Sequence, residues 1–305
     1  MMADKKPDAL ARLYANILVE LDARPDMSLE EMRDVFDHWG DVTREPGGVD
    51  YSEAEVNGVP VMWAVPKGCT QDRVLVCTHG GGYVVGSMYS HRKMFAHIAK
   101  AVGCRALIVH FRRAPENLMP GPVEDTAQVY AGLLDQGISP GHIAFVGDSA
   151  GGALAVSGIL RAREMHLPFP AASLPMSPFV DPEAKSGSYD TNGAKDALVS
   201  KREIIWGMAK LSLGEGGDAR HPLVNPSLAD LSGFPPMLIQ VGGDESLLDD
   251  SIALANRARA DGVDVTLEIV PGMQHVFQFL AGHVPEADVA IARMATWLRP
   301  KLGLA

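Results

Sequence analysis

The sequence predicts an α/β architecture: a mostly parallel central sheet, flanked by helices on both faces, with a helical cap. Three observations carry this. Short apolar runs alternate with helical patterns of about ten to fifteen residues, which is how strands joined by crossover helices read. Several runs, such as 74–78 and 106–111, are apolar nearly throughout, as strands buried on both faces require. Glycine-rich turns follow several of these runs, at the carboxyl ends of the strands, where open α/β sheets bind their ligands.

The elements follow in order. Residues 10–21 place Leu10, Leu13, Ile17, Leu18 and Leu21 at helical spacing. A second helix starts at Ser28-Leu29-Glu30-Glu31, with Ser28 as N-cap and Glu31 closing a capping box. After this helical arm come strand signals at 52–56 and 59–65. Strands at 74–78, 106–111, 143–146, 172–176, 237–241 and 265–270 then alternate with helices at 91–102, 123–134, 150–163, 248–260 and 286–298. Residues 181–222 break the alternation. They hold a Gly/Ser/Lys-rich opening, a helix at 201–213 and a Gly-rich turn, too long for a simple crossover. The expected organisation is a catalytic domain of residues 46–181 and 223–305, with a cap of residues 1–45 and 182–222.

Composition narrows the function. The 305 residues are 47% hydrophobic, enough for one large domain with a filled core. A net charge of -11 argues against nucleic acid or an anionic membrane as partner, because both need clustered Lys and Arg. No run approaches the roughly 18 apolar residues of a membrane span. Residues 1–11 lack a signal-peptide apolar core, so a cytoplasmic protein is expected. Cys69, Cys77 and Cys104 form an odd set without C-x-x-C, which makes a disulfide framework improbable. The sequence has no metal-ligand spacing and no phosphate-binding glycine motif, so no cofactor and no metal are expected.

Two motifs carry chemistry. Gly147-Asp148-Ser149-Ala150-Gly151 follows an apolar run and opens a helix. A serine on such a turn is lifted clear of its neighbours, and side chains at the flanking glycines would clash. His79-Gly80-Gly81-Gly82 follows another apolar run, and its bare backbone N–H groups suit a developing oxyanion. Serine needs a base, and the base an acid that orients it. Two loops exit strands on the required side: Gly242-Gly243-Asp244-Glu245 and Pro271-Gly272-Met273-Gln274-His275. The expected catalytic residues are Ser149, Asp244 and His275, in the chain order of α/β-hydrolases. Glu245 is the rival acid; Asp249 and Asp250 read better as charges at a helix start. His110 reads as a packing histidine within a strand, His283 as a surface residue and His79 as a support for the glycine loop; Asp148 should point away from the nucleophile. On this reading Ser149→Ala lowers kcat about a millionfold and Asp244→Asn roughly ten thousandfold, and activity falls below about pH 6.5.

These pieces resemble the bacterial hormone-sensitive-lipase-like esterases (family IV, GDSAG subgroup) of the α/β-hydrolase fold. The likeness rests on HGGGY at 79–83, FRRAPE at 111–116, GDSAGG at 147–152, GGDESLLDDS at 242–251 and GMQHVF at 272–277. It implies an oxyanion hole made by the N–H groups of Gly81, Gly82 and Ala150, and a helical cap built from the arm and the inserted segment. The family usually has Tyr-Arg-Leu-Ala-Pro-Glu where this chain reads Phe111-Arg112-Arg113-Ala114-Pro115-Glu116, and Tyr-Leu-Gly where it reads Ser212-Leu213-Gly214. The implied activity is that of a serine carboxylesterase acting on short- to medium-chain acyl esters. The segment 244–251 also resembles monoterpene ε-lactone hydrolases, which keeps a lactone substrate as the alternative. Plant gibberellin receptors resemble the family too but have lost the catalytic histidine, which this chain retains. Members often form homodimers through the edge of the last strand, for which residues 265–270 are the candidate.

Overall fold

The computed structural model describes residues 9–305, so the first residues of the expected cap and of the leader reading lie outside the described residues. Two helices open the chain, α1 (Ala9–Ala23) and α2 (Leu29–Asp37), followed by a 3-10 turn at His38–Val42. Then come β1 (Val49–Val56), β2 (Val59–Pro66), β3 (Val74–Thr78), α3 (Met88–Val102), β4 (Arg105–Val109), α4 (Gly121–Asp135), β5 (Ile143–Asp148), α5 (Ala150–Glu164) and β6 (Ala172–Met176). The inserted segment carries α6 (Ser188–Thr191) and α7 (Arg202–Leu213). The chain closes with β7 (Met237–Gly242), α8 (Leu248–Ala260), β8 (Val265–Val270) and α9 (Pro285–Lys301).

The strands form one sheet in the order β1-β2-β4-β3-β5-β6-β7-β8, antiparallel at β1–β2–β4 and parallel from β4 to β8. Every residue of β3, β5, β6 and β7 is buried, which explains why these strands are mostly apolar. β8 is the outer strand and is only half-buried. Among the described residues no helix is long and apolar enough to cross a membrane.

Local chemistry accounts for the element ends. The capping box forms as expected: Glu31 N–H donates to Ser28 Oγ at 3.2 Å and Ser28 N–H to Glu31 Oε2 at 2.9 Å. Such a cap is worth about 1 kcal/mol. Helix α3 starts three residues earlier than its apolar pattern suggests, because Ser87 caps it and Ser90 closes a second box. His110 lies just past β4, not within a strand.

Register fixes where the loops emerge. Thr78 pairs with Gly147, Asp148 with Met176, and Gly242 with Val270. The glycine loop, the serine turn, the 242–245 loop and the histidine loop therefore leave the sheet along one edge, at the carboxyl ends of β3, β5, β7 and β8.

Candidate active site

Ser149 sits at φ 53° and ψ -120°, a strained conformation for a side-chain-bearing residue. The surrounding backbone holds it there: Ser149 N–H donates to Met176 O at 2.9 Å, and its carbonyl accepts from Phe179 N–H at 2.9 Å. The flanking glycines are obligatory. A Cβ at Gly147 would stand 2.1 Å from Gly151 O, and one at Gly151 would stand 2.0 Å from Thr78 O. Ser149 precedes the N-terminus of α5, whose dipole favours negative charge beside it.

The glycine loop curls over this turn. Gly81 and Gly82 take φ of 110° and 60°. The Gly81 carbonyl accepts from the N–H groups of Val84 and Val85, each at 3.0 Å. Among the described residues, no hydrogen bond takes up the N–H groups of Gly81, Gly82 or Ala150. The loop rests on packed rings: His79 stacks on Phe111 at 4.2 Å and 16°. Phe111 thus serves by stacking where the family usually has tyrosine. His79 Nδ1 lies 2.8 Å from Gly80 O, and burial holds its pKa well below the ordinary value. Asp148 turns away from Ser149, its Oδ2 lying 3.2 Å from Nε2 of the buried His91.

The acid loop departs from expectation. His275 is buried, and its Nδ1 lies 3.2 Å from Glu245 Oε1, not from Asp244. Glu245 is fully buried, and its Oε2 accepts from Gly242 N–H at 2.9 Å and from Ser177 Oγ at 2.7 Å. Asp244 faces outward, with its side chain 34% exposed and 3.6 Å from Lys195 Nζ. The physical reason is the turn. Gly243 N–H bonds Val270 O at 2.8 Å and Asp244 N–H bonds Met273 O at 3.1 Å, so the two loops lie backbone to backbone. Adjacent side chains then point to opposite sides, and the longer glutamate spans from the loop to the ring. Burial alone would lower the His275 pKa; the hydrogen bond and charge of Glu245, with the charges of Asp196 and Asp148, outweigh it and hold it above the ordinary value.

Ser149, His275, Gly81 and Gly82 line one cavity of about 270 Å³. Its far walls are aliphatic and aromatic: Leu18 and Leu21 from α1, Phe36 from α2, Trp39, and Ile204, Met208 and Leu211 from α7. Met208 presses on the glycine loop, because a Cβ at Gly82 would stand 2.7 Å from Met208 Cγ. Asp249 and Asp250 do more than charge a helix start: Asp249 accepts from Ser188 N–H at 2.8 Å and Asp250 from Val180 and Asp181 N–H at 3.1 and 3.0 Å, so both tie the inserted segment to α8. His283 is exposed. The residues that sequence patterns do not single out are Tyr14, Ser177 and Asp196. Ser177 alone carries a signal, since it directly follows β6 at the same sheet edge. Among the described residues no group of three or more His, Cys, Asp or Glu could hold a metal ion.

Comparison with known proteins places this geometry. Residues 75–279 match the family description of the alpha/beta hydrolase fold. An acetyl-hydrolase of Streptomyces hygroscopicus is 36% identical over 296 residues, covering 92% of this chain and 98% of that protein. An esterase of Acinetobacter venetianus is 35% identical and covers 71% of each chain. The crystal structure of an esterase from the bacterial hormone-sensitive lipase family superposes with a TM-score of 0.92 at 42% identity, covering 99% of this chain and 100% of that one. The family match, together with likeness over nearly the whole chain to an acetyl-hydrolase and to a solved esterase of that family, places the chain in the bacterial hormone-sensitive-lipase-like esterase family of the α/β-hydrolase fold.

Proposed function

We propose that the protein is a serine carboxylesterase that hydrolyses short- to medium-chain acyl esters through an acyl-enzyme on Ser149. The observation that carries this reading is the shared cavity. A strained serine, a histidine backed by a buried carboxylate, and free backbone N–H groups converge on one small apolar pocket. The Nδ1 contact with Glu245 leaves Nε2 as the ring nitrogen available to take the Ser149 proton. Ser149 Oγ attacks the ester carbonyl, and the oxyanion is held by the N–H groups of Gly81, Gly82 and Ala150. His275 then protonates the leaving alkoxide, and water repeats the cycle on the acyl-enzyme. Glu245, rather than Asp244, holds the tautomer and stabilises the imidazolium.

The pocket supports the substrate class. A cavity of about 270 Å³ walled by cap helices suits compact acyl groups better than long chains. An acetyl-hydrolase among the relatives is consistent with that size. The test is a panel of p-nitrophenyl esters from acetate to laurate, with an ε-lactone beside them. The highest kcat/KM is expected at the short end, and Ser149→Ala should lose about a millionfold in kcat. A fluorophosphonate should label Ser149. Retained hydrolysis by Ser149→Ala, or no labelling, overturns the reading; a lactone preferred over every ester reassigns the substrate.

A further inference from the structure

The inserted segment does more than wall the pocket. Asp196 lies within it, 2% exposed, and its carboxylate accepts three backbone N–H groups: Leu198 at 2.9 Å, Val199 at 2.8 Å and Ser246 at 2.8 Å. Leu198 and Val199 line the cavity, whereas the Ser246 N–H belongs to the peptide bond that follows Glu245. One buried side chain therefore joins the pocket wall to the backbone of the acid that touches His275. A second bond runs the other way, from Ser246 Oγ to Val199 O at 2.7 Å. Neighbours complete the seam: Asn192 Nδ2 donates to Glu245 O at 3.0 Å, and Gln274, next to His275, bonds Ala197 N–H and Lys195 O, each at 2.9 Å.

We propose that Asp196 is a positioning residue, which fixes the Glu245–Ser246 peptide against the pocket wall and so sets the Glu245–His275 pair. This rests on the assignment of Glu245 and His275 made above. All three partners of Asp196 are donors, so the position requires an acceptor at both oxygens, which a carboxylate supplies and an amide does not. Glu245 and Asp196 favour the imidazolium of His275, as does Asp148 from the serine turn, and Tyr14 from α1 packs on the same loop. Asp196 thus contributes both a mechanical and an electrostatic effect, and the two are separable by experiment.

The test uses Asp196→Asn in the full-length enzyme. Asn keeps the size but turns an NH2 onto an N–H. Rates are normalised to fluorophosphonate-labelled sites, which removes any loss of folded protein. Expected is a kcat per site lowered roughly tenfold to a hundredfold, because small misplacements of catalytic groups cost that much. The acid limb of the pH–rate profile should also move to lower pH. A purely structural Asp196 would reduce the labelled fraction and leave both quantities unchanged, and that result overturns the proposal. Should Asp196→Asn not fold, Ser246→Ala removes one stitch outside the carboxylate. A kcat loss of about threefold or more at unchanged KM then supports the proposal, and wild-type kcat overturns it. Glu245→Gln is measured alongside: if it keeps wild-type kcat, the acid assignment has failed, whereas an unaffected Asp196→Asn beside an inactive Glu245→Gln defeats this inference alone.

Discussion

Tyr14 donates a hydrogen bond from Oη to the backbone carbonyl of His275 at 2.8 Å, across 261 residues of sequence. Tyr14 is fully buried and meets Trp39 edge-on at 5.9 Å, while Trp39 stacks on Phe279 at 5.6 Å and 14°. Helix α1 is therefore fastened to the histidine loop as well as covering the cavity. Tyr14→Phe keeps the ring and leaves a buried carbonyl without its donor, which costs about 1–3 kcal/mol. The expected outcome is a lower thermal midpoint together with a kcat reduced roughly tenfold as the histidine loop relaxes. Calorimetry and steady-state kinetics on the same preparation check both. A stability loss with unchanged kcat would show that the bond holds the arm but not the histidine.

The acid can be settled by two single substitutions. Glu245→Gln preserves shape but puts an amide at His275 Nδ1, where either tautomer and charge state is then poorly supported. A loss of roughly ten thousandfold in kcat is expected, as for an orienting carboxylate elsewhere. Asp244→Asn should stay within about twofold, because its partner is an exposed lysine and such pairs contribute little. Large loss in Asp244→Asn with near-normal Glu245→Gln would restore the sequence expectation.

The pH profile follows from the same pair. A general base must be neutral, and the Glu245 carboxylate, despite the opposing effect of burial, raises the His275 pKa. The histidine therefore protonates at a higher pH than a free imidazole, and the acid limb of kcat/KM should have its midpoint above about 6.5. Activity is full above that midpoint and falls as pH drops through it. In Glu245→Gln the residual activity should carry its limb at lower pH. A wild-type midpoint below that of free imidazole would contradict the assignment.

The sheet was legible because its central strands are mostly apolar and its turns are glycine-rich, which leaves few alternative readings. The meeting of Ser149 and His275 at one cavity was legible for a related reason: each belongs to a local motif at a strand end, and the register of β3, β5, β7 and β8 brings those ends together. Asp244 against Glu245 was not legible. Both follow the same strand, and which one turns inward depends on long-range backbone bonds, from Gly243 to Val270 and from Asp244 to Met273, and on the His275–Glu245 contact, which spans 30 residues. Tyr14 and Asp196 have no local signature at all, since their roles consist of long-range bonds to the backbone of other loops.

The anchor between α8 and the inserted segment should make stability depend on pH. Burial pushes the Asp250 carboxyl up to about 7, against the hydrogen bonds from Asp181 and Val180 N–H that favour its charged form. In the unfolded chain an aspartate titrates near 3.9, so between about pH 4 and 7 the folded state binds this proton and the unfolded state does not. A group raised in this way contributes stability that is fully present below the unfolded value and lost as pH rises through the folded one. Asp250→Asn retains an oxygen for the Val180 and Asp181 N–H groups and presents its NH2 toward Ser186 Oγ, which lies 3.4 Å from Oδ1. It has no charge to bury. Relative to Asp250→Asn, the wild type should lose stability between roughly pH 4 and pH 7, the interval between the unfolded and folded values. Urea melts at the two pH values measure this, and parallel losses in both proteins would show that Asp250 is not the group responsible.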